Sequence, residues 1–184
     1  MSTSTFKPGD TVSTVRNVAV VGLGYIGLPT AAILAANGLS VVGVDLNSSV
    51  VDAVNAGKVP FVEPDLGIHV AGAVSQGSLI AQTTTPAADA YIVAVPTPFA
   101  DDKSADLRFV RAAAEGIAPM LSGGELIILE STSPPGTTAM LADIVLDLRP
   151  DLSLDGAAGL VGSADAKPKK EPTKKEKERA KCPK

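Results

Sequence analysis

An α/β fold with a doubly wound parallel sheet is predicted by three features of this sequence. Short β-branched runs alternate with segments of helical apolar spacing, a three-glycine turn joins the first run to the first helix, and polar, proline-containing loops follow later runs. The expected sheet is of the Rossmann type, ends after a fifth or sixth strand, and is followed by a disordered basic tail. The division that follows is a flexible leader over 1–14, one folded domain over 15–153, and a linker with a Lys/Glu-rich tail over 154–184.

The first strand is predicted over Asn17 to Val21 and runs into Gly22-Leu23-Gly24-Tyr25-Ile26-Gly27. In Gly-x-Gly-x-x-Gly the first glycine permits a tight turn, the second lets backbone approach a pyrophosphate, and the third lets the helix pack closely on the strand. Free N–H groups and the positive dipole end of that helix supply anion binding. A glycine-rich turn also occurs for purely structural reasons, so its context matters. The helix carries Pro29 in its first turn, where a missing N–H costs little, and Asn37-Gly38 stops it.

That context begins with Ser40-Val41-Val42-Gly43-Val44-Asp45, a second strand ending in a carboxylate near the distance at which a dinucleotide fold places its ribose-binding acid. Asp45 can accept from both ribose hydroxyls. Its charge repels a 2′-phosphate, and no Lys or Arg lies between it and Lys58, so the cofactor expected is NAD rather than NADP. The plainer alternative is an aspartate capping the next helix. Ser48 or Ser49 can cap that helix, which runs to about Ala56 with Gly57 as its stop, and residues 59–64 with two prolines read as an extended loop. Asp65 opens a further helix bearing His69, the only histidine, to which no role is assigned.

A third strand is expected at Leu79 to Gln82, a turn at 83–86, and a fully buried fourth strand from Ala90 to Val95. Pro96-Thr97-Pro98 then forms a rigid loop at the strand's carboxyl end, read either as a ligand loop or as a stiff connector. Leu107, Val110, Ala114, Ile117 and Leu121 keep helical spacing until Ser122-Gly123-Gly124. The fifth strand is Glu125 to Leu129, the polar loop 130–136 follows, and Met140, Leu141, Ile144, Val145 and Leu148 stripe the last helix. Beyond Asp151 the patterning dissolves.

Composition narrows the function classes. The net charge of −4 divides into −10 for residues 1–166 and +6 for 167–184. An acidic body cannot hold a polyanion through its general field, so a phosphate site must be local and built from backbone amides. Aromatic content of 3% with no Trp leaves little for stacking bases, and nucleic acid is not an expected partner. The uncharged stretch 17–44 has the length of a membrane span, but its glycines, Pro29 and Asn37-Gly38 break it into strand, helix and strand. With no signal-peptide order at the start, the expected compartment is the cytoplasm, and no membrane association is expected. The single cysteine, Cys182, excludes an internal disulfide or a cysteine metal cluster.

Five ordered blocks, 20–32, 43–47, 62–66, 94–99 and 130–138, together resemble the N-terminal NAD-binding domain of the nucleotide-sugar (UDP-glucose/GDP-mannose) dehydrogenase family, over about 15–153. The likeness is greatest to the branch acting on UDP-N-acetyl-D-mannosamine. It implies two successive NAD-dependent oxidations of a sugar C6 alcohol to the uronic acid, in cell-surface polysaccharide synthesis. By matching motif, Gly22, Gly24 and Gly27 form the turn, Tyr25 and Ile26 contact the pyrophosphate through backbone amides, and Asp45 binds the adenosine ribose. Pro96, Thr97, Ser131 and Thr132 border the site, with Thr97 and Thr132 near the nicotinamide end. A threonine hydroxyl can position a water or substrate hydroxyl, so Thr132 is assigned at most that role. No metal ligands are expected.

The departures are as informative. The family requires a cysteine nucleophile, a lysine and a Cys-Pro-Glu-Arg block; here the chain reads Lys181-Cys182-Pro183-Lys184, and Cys182 is not that nucleophile. The expectation is therefore an NAD-binding part inactive by itself, the catalytic domain and the central dimerisation helix of these homo-oligomers being absent from this chain. An alternative is a non-catalytic NAD-binding module whose basic tail docks a partner. Other Rossmann dehydrogenases share the glycine turn but not the 96–98 and 131–138 blocks.

Overall fold

A computed structural model describes residues 15–98, 105–154 and 160–162. The leader, Phe99, the tail and Cys182 lie outside them. Six strands, β1 (Asn17–Val21), β2 (Ser40–Val44), β3 (Leu79–Gln82), β4 (Ala90–Val93), β5 (Leu126–Leu129) and β6 (Leu160–Gly162), form one sheet in the order β3-β2-β1-β4-β5-β6. Every neighbouring pair is parallel. The helices are α1 (Gly27–Ala36), α2 (Ser48–Asn55), α3 (Leu66–Ser75), α4 (Arg108–Ile117) and α5 (Thr137–Leu148), with a 3-10 turn at Ala118–Met120 after α4.

The chain moves outward from β1 to β3 on one side and from β4 to β6 on the other. Right-handed crossovers therefore place α1, α2 and α3 on one face and α4 and α5 on the opposite face. The alternation along β1 feeds both layers. Val18 and Val20 pack with Leu28, Val54, Val70 and Leu79 beneath α1 to α3, whereas Ala19 packs with Tyr91, Val93, Val110, Ile117 and Leu141 beneath α4 and α5. The strand order reverses direction between β1 and β4, which opens a crevice at their carboxyl ends.

Three local expectations are corrected. Asn47, not a serine, caps α2: its side-chain oxygen accepts from the Ser49 N–H at 3.0 Å, two residues into the helix. β4 ends at Val93 rather than Val95, because its partner β1 ends at Val21 and Pro96 has no N–H to extend the ladder. The stretch read as linker contributes β6, whose Leu160, Val161 and Gly162 pair with Ile127, Ile128 and Leu129. Three residues, the last of them a glycine, carry no alternation of their own, and the open edge of β5 supplies their register.

Two side chains fasten the layer that carries the site. Both backbone N–H groups of Arg16 and Asn17 donate to Asp89, at 2.9 and 2.8 Å, which holds the carboxyl below its usual range and anchors the start of β1 beside β4. The fully buried Tyr91 hydroxyl accepts from the Ala88 N–H at 3.1 Å and donates to the Pro86 carbonyl at 3.2 Å. Burial pushes this phenol above its ordinary value, so it stays neutral. Tyr91→Phe is expected to lower unfolding free energy by about 1–2 kcal/mol, since both partners lose a bond beneath the sheet. Urea denaturation should show a lower midpoint at constant slope; an unchanged midpoint would refute the clasp.

Candidate functional site

The glycine turn sits at the crevice because backbone bonds tie it to both neighbouring strands. The Gly22 N–H donates to the Val44 carbonyl at 2.8 Å, and the Ala94 N–H donates to the Val21 carbonyl at 2.8 Å. Gly22 has φ +97, and a Cβ there would lie 2.6 Å from the Ala94 carbonyl oxygen. Gly27 begins α1 directly beneath it: its Cβ would lie 1.8 Å from the Gly22 carbonyl oxygen. These two glycines are required by the protein's own close approach. Gly24 differs, because apart from its own residue and its two chain neighbours no described atom lies within 4 Å of the position its Cβ would take. It is exposed and faces the crevice, so its missing side chain keeps space for something outside the chain.

Among the described residues, the N–H groups of Gly24, Tyr25 and Ile26 have no acceptor outside the helix, and Ile26 stands at the N-cap of α1 without a side-chain cap. Free amides at a helix start beside a cradle that a Cβ would fill suit a phosphate group. Among the described residues neither Lys nor Arg lines the crevice, which leaves these amides as the groups there suited to an anion.

The cleft has a volume of about 990 Å³. It is lined by Gly22, Gly24, Tyr25, Ile26, Asp45, Pro96, Thr97, Ser131 and Thr132, which brings together nine of the ten residues singled out from the sequence. The tenth, Gly27, is buried underneath and shapes the turn. Asp45 reaches back to it: one carboxylate oxygen accepts from the Leu23 N–H at 3.0 Å and the other from the Asn47 N–H at 2.9 Å. Each oxygen retains a further lone pair for a ligand hydroxyl.

At the other end of the cleft two loops are knotted together. The Thr97 hydroxyl donates to the Thr132 carbonyl at 2.6 Å, and the buried Ser131 hydroxyl donates to the Val95 carbonyl at 2.8 Å. Ser131 is thereby committed to holding the loop after β5 against the end of β4. The Thr97 hydroxyl, having given its proton, offers only lone pairs to the cleft. The hydroxyl of exposed Thr132 is left free among the described residues.

Two polar lining residues escaped the sequence reading. Thr30, on the second turn of α1, donates to the Glu130 carboxylate at 3.1 Å across the cleft. Glu130 opens a motif block but pairs with a residue 100 positions away, and no local pattern announces that contact. Apolar Ile92, Ala94, Ile128 and Leu129 complete the floor. His69 lies elsewhere, in a small hollow of about 250 Å³ between α1 and α3. Among the described residues no acidic, cysteine or histidine cluster is arranged to hold a metal ion, and no helix is long and apolar enough to cross a membrane.

Comparison with known proteins follows the same outline. The sequence model of the UDP-glucose/GDP-mannose dehydrogenase family, NAD binding domain, matches residues 16–158. An NDP-N-acetyl-D-galactosaminuronic acid dehydrogenase of Ralstonia nicotianae is 53% identical over 78% of the chain and 34% of its own length. A UDP-N-acetyl-D-mannosamine dehydrogenase of Salmonella typhi is 51% identical over 77% of the chain and 34% of its own length. Among solved structures, the native UDP-N-acetyl-mannosamine dehydrogenase of Staphylococcus aureus superposes with a TM-score of 0.73 at 38% identity, over 77% of this chain and 35% of that one. The chain thus spans about a third of the length of the curated relatives it matches.

Proposed function

The chain belongs to the UDP-glucose/GDP-mannose dehydrogenase family and carries its NAD-binding domain; from this we propose that it is the cofactor-holding part of an enzyme oxidising the C6 alcohol of UDP-N-acetyl-D-mannosamine to the uronic acid. Alcohol to carboxylate is a four-electron change, so two NAD molecules are reduced in succession, NAD being the hydride acceptor. The observation carrying this reading is the open Gly24 cradle beside the unpaired Gly24, Tyr25 and Ile26 amides, with Asp45 at one end of the cleft and Thr97 and Thr132 at the other.

In this reading the amides hold the pyrophosphate, Asp45 accepts from the adenosine ribose hydroxyls, and the Thr97–Thr132 pair borders the nicotinamide. Gly22 and Gly27 build the turn, and Pro96 and Ser131 hold the loops that close the far end. The described residues include no cysteine and a single lysine, Lys58, on the loop after α2. They hold the oxidant and supply no group to activate the sugar. The Ralstonia relative makes the corresponding N-acetylgalactosamine nucleotide the competing substrate.

Calorimetry with NAD, ADP-ribose and NADP tests the cofactor site. NAD and ADP-ribose should bind competitively and NADP at least about tenfold more weakly, because the Asp45 carboxylate opposes a 2′-phosphate. Equal binding of NADP would overturn the ribose assignment. Mixed with NAD and UDP-N-acetyl-D-mannosamine, the purified chain should form no NADH; turnover would show that it holds activating groups this reading denies it.

A further inference from the structure

We infer that Phe61 is a positioning residue for the dinucleotide site: its ring, seated on the core, props the Tyr25 ring and so fixes the direction of the Gly24, Tyr25 and Ile26 amides. The inference rests on the reading of those amides as the pyrophosphate cradle. Tyr25 and Ile26 stand out from the surface, 66% and 54% exposed, and the residues on either side of them are glycines. Such a turn is mobile unless something pins it. A mobile cradle gives up affinity when ligand binding must order it.

The only described aromatic contact pins that turn. The Tyr25 and Phe61 rings lie with centroids 4.3 Å apart at an interplanar angle of 34°. Phe61 is half-buried and packs against the core cluster formed by Leu28, Val54, Leu66 and Val70. It belongs to the extended loop between α2 and α3, a segment with no polar contact to the cleft and outside the cleft lining. The neighbouring Asp65 holds a left-handed backbone, φ 64, at the start of α3, which fixes the end of this loop. A large exposed aromatic beside the glycine turn thus has an anchored partner, contributed by a loop outside the cleft lining. Aromatic pairs in such contact add to mere area burial.

The test compares wild type, Phe61→Ala, Phe61→Tyr, Tyr25→Ala and the double variant, by calorimetry with NAD and with adenosine, and by backbone ¹⁵N relaxation. Phe61→Ala should weaken NAD binding about threefold to tenfold, the size expected for ordering a few groups on binding, and leave adenosine binding unchanged. Phe61→Tyr should restore NAD affinity. In a Tyr25→Ala background, Phe61→Ala should have no further effect on NAD binding. The amides of Tyr25 and Ile26 should lose order in Phe61→Ala while those of β1 do not. A loss equal for NAD and adenosine, or one persisting without Tyr25, would assign Phe61 to general packing and overturn the inference. If wild type binds no NAD, the cofactor reading fails, and the relaxation comparison still decides whether Phe61 orders the turn.

Discussion

Gly24→Ala is expected to abolish most NAD binding while leaving the fold intact, and Gly27→Ala to disrupt the turn itself, before any ligand is considered. The two substitutions add the same methyl group three residues apart. At Gly24 it enters space that no described atom beyond its chain neighbours occupies within 4 Å and that opens on the cleft. Thermal midpoint should therefore change by no more than about 2 °C, the small gain from reduced chain entropy offsetting slight helix-start effects. NAD affinity should fall at least about tenfold, because the phosphate must withdraw from the amides and their charge-assisted bonds lengthen. At Gly27 the methyl would lie 1.8 Å from one backbone oxygen and 2.9 Å from its carbon. Backbone cannot rotate away as a side chain can, so α1 must lift from β1. That overpacking costs about 3 kcal/mol or more. Calorimetric scanning and NAD titration of both variants check the pair. A stable Gly27→Ala, or a Gly24→Ala that binds NAD as wild type does, would show that the roles of these glycines are misassigned.

Most of this arrangement is legible in the sequence for a specific physical reason. Strands buried on both faces read as apolar runs, so β1, β2 and β4 stand out, and the chain leaves them at Gly22, Asp45 and, shortly after β4, Pro96. The ligand edge of a parallel sheet is that row of ends, which is why nine of ten residues picked from the chain line one cleft. What stayed hidden depends on pairing at long range or on a choice among equals. β6 borrows its register from β5. Asn47 outcompetes two adjacent serines as a cap through one bond that spacing cannot rank. The Thr30 to Glu130 contact and the Tyr25–Phe61 pair join segments whose separation in the chain carries no periodicity. The polar character of Ser131 goes with its place in the cleft lining but does not tell its duty, since its hydroxyl faces the Val95 carbonyl rather than the cleft.

Asp45→Ala is the second large effect, and its interpretation depends on a bond that the ribose assignment alone does not foresee. The carboxylate accepts from Leu23, a residue only 1% exposed, as well as from Asn47. Removing it takes away the ribose acceptor and also leaves a buried N–H within the glycine turn without a partner. The first loss should lower NAD affinity by at least about tenfold, the value of a hydrogen bond to a charged group. The second should destabilise the protein by about 1–3 kcal/mol. Because a loosened turn also weakens binding, alanine by itself cannot separate ligand contact from support of the cradle. Asp45→Asn separates them. Its amide oxygen can still accept from Leu23; its amide nitrogen cannot accept from the Asn47 N–H, but that group is exposed and water can take its bond, so stability should stay near wild type, while the negative charge that opposes a 2′-phosphate is gone. The NAD to NADP affinity ratio should therefore fall in Asp45→Asn with little change in unfolding midpoint, whereas in Asp45→Ala affinity and midpoint fall together. If asparagine keeps the wild-type ratio, Asp45 serves the turn only, and cofactor choice lies elsewhere in the cleft.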